Sequence, residues 1–388
     1  MNWSVQLLFW VCVLGVITPY TLYPLLLFLL SRLRRTPASE DVLFPVTFVI
    51  SAYNEAEVIE QKLQNTRELE YPKDQLQIIV ISDASDDGTD QIVDRYEDVL
   101  LCRQTQRRGK SAAITTFAHR FRGDVVVFSD ANSIYQPNAL RLLVGHFGRP
   151  EVGYAVGQQK YTQGTGQSGE SESAYWDFEV RIKTWEGRLG SVVGGDGAIM
   201  AIRRDLVTPL RADDINDFVL PLKIVAAGYR GVFEPNAICF EEAAPSFGGE
   251  FRRKVRIVNR SFRAVLRTPQ ALNPLKVGIF AWQLACHKVI RWFAGFFMLG
   301  ALILNIGLVL AGSPFYQWLL GIQLAFYGAA LAKHLPRIGG WKPFVLCYYF
   351  CLSNLAAAIG IVNVGLGRKF VTWTPQRGSA EIELPRTP

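Results

Sequence analysis

Three carboxylates lie within five positions in the stretch Ala212-Asp213-Asp214-Ile215-Asn216-Asp217-Phe218. A glycine-rich stretch, Gly194-Gly195-Asp196-Gly197, precedes it, and a helix-like run at 219–227 follows. A carboxylate placed beside a substrate hydroxyl can act as a general base. Asp and Asn are also the residues that cap helices, so the cluster taken alone is more typical of a helix start. Asp217 needs further polar groups around it to be a catalytic base.

The elements expected to supply those groups form an alternating pattern of short β-rich runs and helix-like segments. Strands are predicted at 46–50, 76–81 and 124–129, and helices at 55–69 and 89–96. This alternation predicts an α/β layer with a mostly parallel sheet.

Polar, turn-forming residues follow each of these strands. They are Ser51-Ala52-Tyr53-Asn54-Glu55, Ser82-Asp83-Ala84-Ser85-Asp86 and Ser129-Asp130-Ala131-Asn132. Ligands of open α/β sheets bind beyond the carboxyl ends of the strands, so these loops predict a shared site, although each alone is also typical of a turn. Asp130 and Asn132 offer oxygen ligands suited to Mg²⁺ or Mn²⁺. Arg108-Gly109-Lys110 suits a phosphate or a solvated basic turn.

The composition predicts a membrane protein with anionic partners. The chain has 388 residues, 49% of them hydrophobic, and a net charge of +7. Residues 7–30 are 24 positions without a charge, followed by Arg32, Arg34 and Arg35, which predicts an anchor with its N-terminus outside and the following domain in the cytoplasm. Further spans are expected at 293–312, 316–332 (marginal) and 344–365, for three or four in total, and 275–286 is expected to lie in the interface.

Single residues give weaker signals. The six cysteines form no Cys-x-x-Cys pair, which predicts free thiols. His287 and His334 flank apolar runs and are expected at headgroup level. No motif favours nucleic acid as a partner.

Taken in order and spacing, the motifs resemble those of family-2 glycosyltransferases, and more narrowly the membrane-embedded branch of cellulose, hyaluronan and poly-N-acetylglucosamine synthases. The motifs that carry the resemblance are the three strand-end loops, Arg108-Gly109-Lys110, the stretch from Gly195 to Arg204, and Asn216-Asp217. The resemblance covers roughly residues 45–270. It implies a nucleotide-diphospho-sugar transferase (GT-A type) catalytic domain combined with transmembrane helices.

The resemblance also implies roles for single residues. Asp217 matches the general base of an inverting transfer. The nucleotide sugar, expected to be a UDP-sugar, would be bound by Ala52, Tyr53, Glu55, Asp83, Lys110 and Asp130, and the metal by Asp130 and Asn132. The acceptor would be contacted by Gly195, Gly197, Arg253 and Arg256, and Trp373-Thr374-Pro375 would return near the site.

The chain departs from the family pattern at several positions. Asn132 replaces an aspartate, which predicts altered metal binding. Where processive synthases carry Gln-x-x-Arg-Trp, this chain has Arg253 and Ile257 in place of the glutamine and the tryptophan, which puts processivity in question. Five arginines at 253, 256, 260, 263 and 267 recur at helical spacing and predict a lipid-surface helix, or a face that docks anionic phosphates.

These observations predict five regions: a transmembrane anchor (1–35), a cytoplasmic glycosyltransferase domain (36–250), basic interfacial helices (251–292), C-terminal transmembrane helices (293–370) and a tail (371–388). The expected function is metal-dependent, inverting transfer of a sugar to a growing extracellular polysaccharide at a bacterial inner membrane. Non-processive transfer to a lipid acceptor is one alternative, and a non-catalytic nucleotide-sugar sensor is another. Membrane lipids are expected partners, whereas the sequence does not identify an accessory subunit.

Overall fold

The computed structural model describes residues 3–34, 39–162, 167–242 and 247–372, with side chains in helix 167–189 described from residue 176 onward. Arg35, the 373–375 stretch and most of the predicted tail lie outside the described residues.

A mixed eight-stranded sheet forms the centre of the catalytic region. Its strands are β1 (Val46–Ala52), β2 (Leu76–Ser82), β3 (Val99–Arg103), β4 (Val125–Asp130), β5 (Ile134–Tyr135), β6 (Val152–Thr162), β7 (Met200–Arg203) and β8 (Arg230–Glu242). The order is β3-β2-β1-β4-β7-β6-β8-β5. Neighbours are parallel in the β3-β2-β1-β4 half and for β6-β8, and antiparallel at β4-β7, β7-β6 and β5-β8. The mostly parallel sheet predicted from the strand pattern is confirmed for this half.

Fourteen α-helices surround the sheet and continue beyond it in the described ranges. They are α1 (Trp3–Ile17), α2 (Tyr23–Ser31), α3 (Ile59–Arg67), α4 (Thr89–Val93), α5 (Lys110–Phe117), α6 (Ala139–Val144), α7 (Gln167–Leu189), α8 (Asn216–Ala226), α9 (Phe247–Arg267), α10 (Pro274–Val277), α11 (Ile279–Leu284), α12 (Ala294–Leu310), α13 (Pro314–Ala332) and α14 (Lys342–Gly365). π-Helical segments join α1 to α2 at Thr18–Leu22 and follow α11 at Ala285–Ile290.

Both faces of the parallel strands are buried, which explains their unbroken apolar sequence. Successive side chains of a strand point to opposite faces. Phe48 and Ile50 of β1 therefore pack on one side, in the cluster that includes α3 and α6. Val49 packs on the other side, in the cluster that includes α5, α8 and α9.

The strand register brings the predicted loops to one edge of the sheet. Ala52 is paired with Ser82, and Ser51 with Asp130. The three strand-end loops of the parallel half therefore open side by side, as the sequence predicted.

Two helical stretches are long and apolar enough to cross a membrane among the described residues, Trp3–Ser31 and Lys342–Gly365. A third is possible if the pair Ile279–Ile290 and Ala294–Leu310, bent by 61°, forms one span. The sequence predicted three or four spans. The difference lies in Pro314–Ala332, the segment that the sequence marked as marginal, which is not among these candidates.

The segment predicted to lie at the interface packs with one side against the catalytic region. Residues 279–290 form α11 and the second π-helical segment, where Phe280, Leu284 and Cys286 are buried. Cys286 packs with Ile182 of α7 and with Tyr23 and Leu27 of α2. The first transmembrane candidate is thereby joined to the catalytic region through α7.

Candidate active site

Asp217 lies in the first turn of α8, which begins at Asn216 rather than at residue 219 as predicted. The N-cap position is Ile215, whose side chain makes no capping hydrogen bond. The acidic residues of this stretch are therefore not the cap of the helix, and the simpler interpretation of the cluster is wrong.

The predicted base, metal ligand and lysine converge on Gly197. A Cβ atom built on Gly197 would lie 3.3 Å from Asp217 Oδ2, 3.6 Å from Asp130 Oδ2 and 3.6 Å from Lys110 Nζ. Lys110 Nζ also forms an ion pair with Asp130 Oδ1 and donates a hydrogen bond to the Gly197 carbonyl at 3.3 Å. A glycine at 197 therefore leaves a small space bounded by two carboxylates and one ammonium group.

The Asp217 carboxyl group is suited to accepting a proton. Its Oδ1 is buried and accepts no hydrogen bond from the described residues. Burial raises the pKa of Asp217 above its ordinary value, Lys110 opposes the shift, and the charges of Asp196 and Asp130 add to it. The Asp217 carboxylate is thus more basic than a solvated aspartate, and its Oδ1 is left without a hydrogen-bond donor among the described residues.

A cavity of about 760 Å³ opens from this point over the edge of the sheet. The predicted residues that line it are Glu55, Lys110, Asp130, Asn132, Gly195, Gly197, Asp217, Arg253 and Arg256. The structure therefore brings together nine of the residues selected from the sequence, in one space large enough for a nucleotide sugar. We call it the donor cavity.

Ala52, Tyr53 and Asp83 do not line the donor cavity. Asp83 instead accepts hydrogen bonds from the backbone N–H groups of Arg108 and Gly109, both at 2.8 Å. The Tyr53 ring lies under the Arg107 guanidinium, 3.6 Å from its centroid. Asp83 therefore holds the loop that presents Lys110, a role that its position after a strand did not reveal.

The loop of Asp130 and Asn132 is supported from behind by a buried lysine and a buried glutamate. Lys62 of α3 donates to the Ser133 carbonyl at 2.5 Å, and its pKa is lowered by burial to about 7. Glu241 of β8 accepts from the Ser133 hydroxyl, and its pKa is raised to about 8, first by burial and then by Asp130. Placing a cation at Asp130 would favour the ionised form of Glu241.

The arginine stripe of α9 faces the catalytic region rather than lipid, which corrects the lipid-surface prediction. Arg267 pairs with Asp213 Oδ2 at 2.6 Å and with Asp214 Oδ1 at 2.7 Å. Arg260 is 6% exposed and donates to the Asp214 carbonyl. Asp213 and Asp214, which had no predicted role, thus attach the segment before Asp217 to α9.

Arg253 and Arg256, which the motif assigns to the acceptor, both line the donor cavity, and Arg253 also lines a neighbouring cavity described below. Arg256 lines the donor cavity, and burial lowers its pKa, with the neighbouring Arg253 adding to the shift and Asp130 opposing it. Arg253 Nε pairs with Glu250 Oε2 at 2.6 Å. Ile257, at the position of the missing tryptophan, lines the same cavity.

A second cavity, of about 570 Å³, meets the donor cavity at Asp217. Its wall is partly apolar and comes from α9, Trp292 and α14, where Tyr349, Phe350 and Ala357 contribute. We call it the acceptor-side cavity. Trp176 of α7 lines both cavities, and its ring packs edge-on against Tyr161 with centroids 5.6 Å apart. Sequence analysis missed this aromatic residue because it belongs to no motif.

The chain after α14 returns to the donor cavity. Phe370 and Thr372 line it, and the Arg368 carbonyl accepts from Arg263 Nη2 at 2.7 Å. A Cβ on Gly109 would lie 2.7 Å from the Val371 carbonyl oxygen, so this segment closely covers the Arg108-Gly109-Lys110 loop.

His287, which the sequence predicts at headgroup level, is fully buried within the protein. Its Nδ1 lies 2.7 Å from Glu186 Oε1 and its Nε2 lies 3.1 Å from Glu179 Oε2. A single histidine beside an apolar run gives no sequence signal for such partners, which come from α7 about 100 residues earlier.

The sheet order, the strand-end site and the helices beyond it define a glycosyltransferase fold of the GT-A type. Residues 47–210 match the family described as glycosyl transferase family 2, so the chain carries a family 2 glycosyltransferase domain, as the motifs indicated.

Comparisons with known proteins agree with this assignment. The chain is 26% identical over 236 residues to a poly-beta-1,6-N-acetyl-D-glucosamine synthase of Staphylococcus aureus (strain COL), covering 58% of this chain and 57% of that protein. It is 27% identical over 239 residues to the probable glycosyltransferase YdaM of Bacillus subtilis (strain 168), covering 57% and 56% of the two chains. The matches thus span little more than half of these relatives.

Among solved structures, the mannosyltransferase PcManGT from Pyrobaculum calidifontis, in complex with GDP-Man and Mn²⁺, superposes with a TM-score of 0.71 at 23% identity. The match covers 93% of this chain and 100% of that one. This likeness confirms the fold over both the sheet and the helices beyond it.

Proposed function

We propose that this protein transfers a sugar from a nucleotide sugar to a hydroxyl group of an acceptor, with inversion at the anomeric carbon and Asp217 as general base. The observation that carries the proposal is the convergence of Asp217, Asp130 and Lys110 on the space above Gly197. UDP is the expected nucleotide.

In this reaction the acceptor hydroxyl gives its proton to Asp217 as its oxygen attacks the anomeric carbon. The bond from that carbon to the diphosphate breaks, and the nucleoside diphosphate leaves with the bonding electrons. No covalent intermediate with the protein is required. Lys110, Arg256 and Arg260 line the donor cavity and can stabilise the charge that develops on the diphosphate.

A divalent metal fits the donor cavity. Asp130 has a side chain 40% exposed toward the cavity, and Asn132 lines the same wall. These oxygen ligands suit Mg²⁺ or Mn²⁺, since these ions often take one or two carboxylates and complete their shell with phosphate oxygens and water. When bound, the metal would neutralise negative charge on the diphosphate leaving group. The Pyrobaculum protein, solved with GDP-Man and Mn²⁺, supports this assignment.

The acceptor is proposed to enter from the membrane side. The acceptor-side cavity joins Asp217 to the walls of α9 and α14, and α14 is one of the two membrane-span candidates. We propose that both candidates anchor the protein in the membrane, with the catalytic domain in the cytoplasm of a bacterium. The leading acceptor is a growing polysaccharide, in line with the staphylococcal synthase.

A lipid acceptor is the second candidate. Ile257 stands where processive synthases carry the sugar-stacking tryptophan, and the wall supplied by α14 is largely apolar. Trp176, which lines both cavities, offers a different surface on which a sugar ring can stack. For this reason a polysaccharide is the preferred acceptor in our proposal.

The test is an incubation of membranes carrying the full-length protein with radiolabelled UDP-sugars and Mg²⁺ or Mn²⁺, followed by separation of polymer from lipid extract. Labelled polymer is the expected product. Label in the lipid extract alone would establish the second candidate. Nucleotide-sugar binding without UDP release for any sugar would instead identify a non-catalytic sensor and refute the proposal.

A further inference from the structure

Glu186 of α7 is a fully buried carboxylate that joins three separate parts of the chain. Its Oε1 accepts a hydrogen bond from the Tyr23 hydroxyl of α2 at 2.5 Å and lies 2.7 Å from Nδ1 of His287. Its Oε2 accepts the Val193 backbone N–H at 2.9 Å. A buried carboxylate is stable only when such partners satisfy it, so its contacts fix their relative positions.

His287 lies between two carboxylates. Nδ1 faces Glu186 and Nε2 faces Glu179, so each ring nitrogen of His287 has a carboxylate partner. Arg291 Nη1 also pairs with Glu179, at 2.5 Å. The second π-helical segment is thereby bonded to α7 at two points about one and three turns before the end of that helix.

The contact with Val193 leads directly to the catalytic base. We call residues 193–197 the glycine loop. Two residues after Val193 in this loop, the Gly195 backbone N–H donates a hydrogen bond to the Asp217 carbonyl at 2.5 Å. The loop is held a second time by Lys183 of α7, whose Nζ lies 3.3 Å from Asp196 Oδ2. The base, the glycine loop and α7 therefore form one continuous set of hydrogen bonds.

We propose that Glu186, with His287 and Tyr23, positions the glycine loop against Asp217, so that use of the acceptor depends on the contact between the catalytic domain and its membrane-proximal helices. The inference rests on the proposed function, because it assigns these groups to the acceptor side of that reaction. None of the three is a catalytic residue. They act through the loop.

Two isosteric substitutions of His287 separate its two contacts. An asparagine amide takes the place of Nδ1 and can still donate to Glu186, whereas a glutamine amide takes the place of Nε2 and reaches only Glu179. Both replacements are neutral amides, so they differ in the position of the amide and not in charge. His287→Gln is expected to raise the acceptor KM about tenfold and to increase donor hydrolysis relative to transfer, while the donor KM stays unchanged. His287→Asn should stay within about threefold of the parent.

Tyr23→Phe removes one donor to Glu186 at small cost in volume and should shift the acceptor KM in the same direction by about threefold. His119→Gln, at an exposed histidine after α5, is the matched control and should leave all constants unchanged. Equal effects of His287→Gln and His287→Asn, or a loss of donor affinity in either, would overturn the positioning role.

Hydrogen exchange gives a readout that needs no turnover. In the purified full-length protein, His287→Gln should raise exchange of the backbone amides in 193–197 about tenfold, and His287→Asn should not. Unchanged exchange in the glycine loop of His287→Gln would refute the inference even if the protein proves inactive. If the two variants show the expected difference in exchange but the parent protein releases no UDP, the proposed function is refuted and the positioning role is not.

Discussion

Asp217→Asn separates the catalytic role of this residue from its place in the fold. Asparagine keeps the size of the side chain but cannot accept the acceptor proton. General base catalysis contributes about 10² to 10⁴ in rate, so kcat should fall by that factor, or by about 3–5 kcal/mol in activation free energy. Donor affinity should change little, because the charges proposed to face the diphosphate belong to Lys110, Arg256 and Arg260, which line the donor cavity.

The same substitution should stabilise the protein near neutral pH. The pKa of Asp217 is raised in the folded chain, so the folded state takes up a proton more readily than the unfolded one. Above the ordinary pKa of aspartate, about 3.9, stability is lost with rising pH until the raised folded pKa is passed. The Asp217→Asn variant does not titrate at this position and would not carry this cost. Its Tm should therefore exceed that of the parent at pH 7 and converge with it below about pH 4.

The assay pairs UDP release and radiolabel transfer with UDP binding by calorimetry and thermal unfolding at several pH values. Asp213→Asn is the matched control, since this carboxylate lies four positions earlier and pairs with Arg267. It should lose stability and keep most of its rate. A variant of Asp217 that retained transfer within tenfold of the parent, or that lost UDP binding, would remove Asp217 from the proposed mechanism.

Three further predictions concern the surroundings of the base. Arg267→Gln should lower the free energy of unfolding, measured by urea titration, by about 2 kcal/mol. This is less than for a fully buried ion pair, because the Arg267 side chain is 26% exposed. Arg122→Gln, at an exposed site, is the control and should leave the free energy of unfolding unchanged. Trp176→Ala should raise the acceptor KM about tenfold and Trp176→Phe about twofold, with steady-state kinetics as the measurement and an unchanged KM in both as the contrary result. Asn132→Asp should lower the Mn²⁺ concentration needed for half-maximal UDP release several-fold, and no shift would argue against Asn132 facing the metal.

The half of the fold built on local pattern was predictable from the sequence. Buried strands ending in polar loops, with helices between them, predict both a parallel sheet and the edge at which Asp130 lies. The position of Asp217 required a motif, because caps and bases use the same residue type. The helix start at Asn216 was missed since Ile215 is not a typical N-cap.

The partners of the buried charged residues could not be predicted from the sequence in the same way. The spacing of Arg260 and Arg267 identifies a helix face correctly but cannot say whether lipid, solvent or protein covers it. Their partners, Asp213 and Asp214, lie about 50 residues earlier in the chain. His287 shows the same limit, because long-range pairing of charges depends on the topology and leaves no local pattern.

The wall of the acceptor-side cavity includes residues from both membrane-span candidates. The catalytic region therefore does not form this cavity by itself. Tyr20 comes from the first helical stretch, and Phe350 and Ala357 come from the last. A catalytic domain cut out between the two would lack these parts of the acceptor-side cavity, and also Phe370 and Thr372 of the donor cavity. Exchange of the two membrane-span candidates between relatives should therefore change acceptor preference, which would make these helices part of the specificity of the protein in addition to their proposed anchoring role.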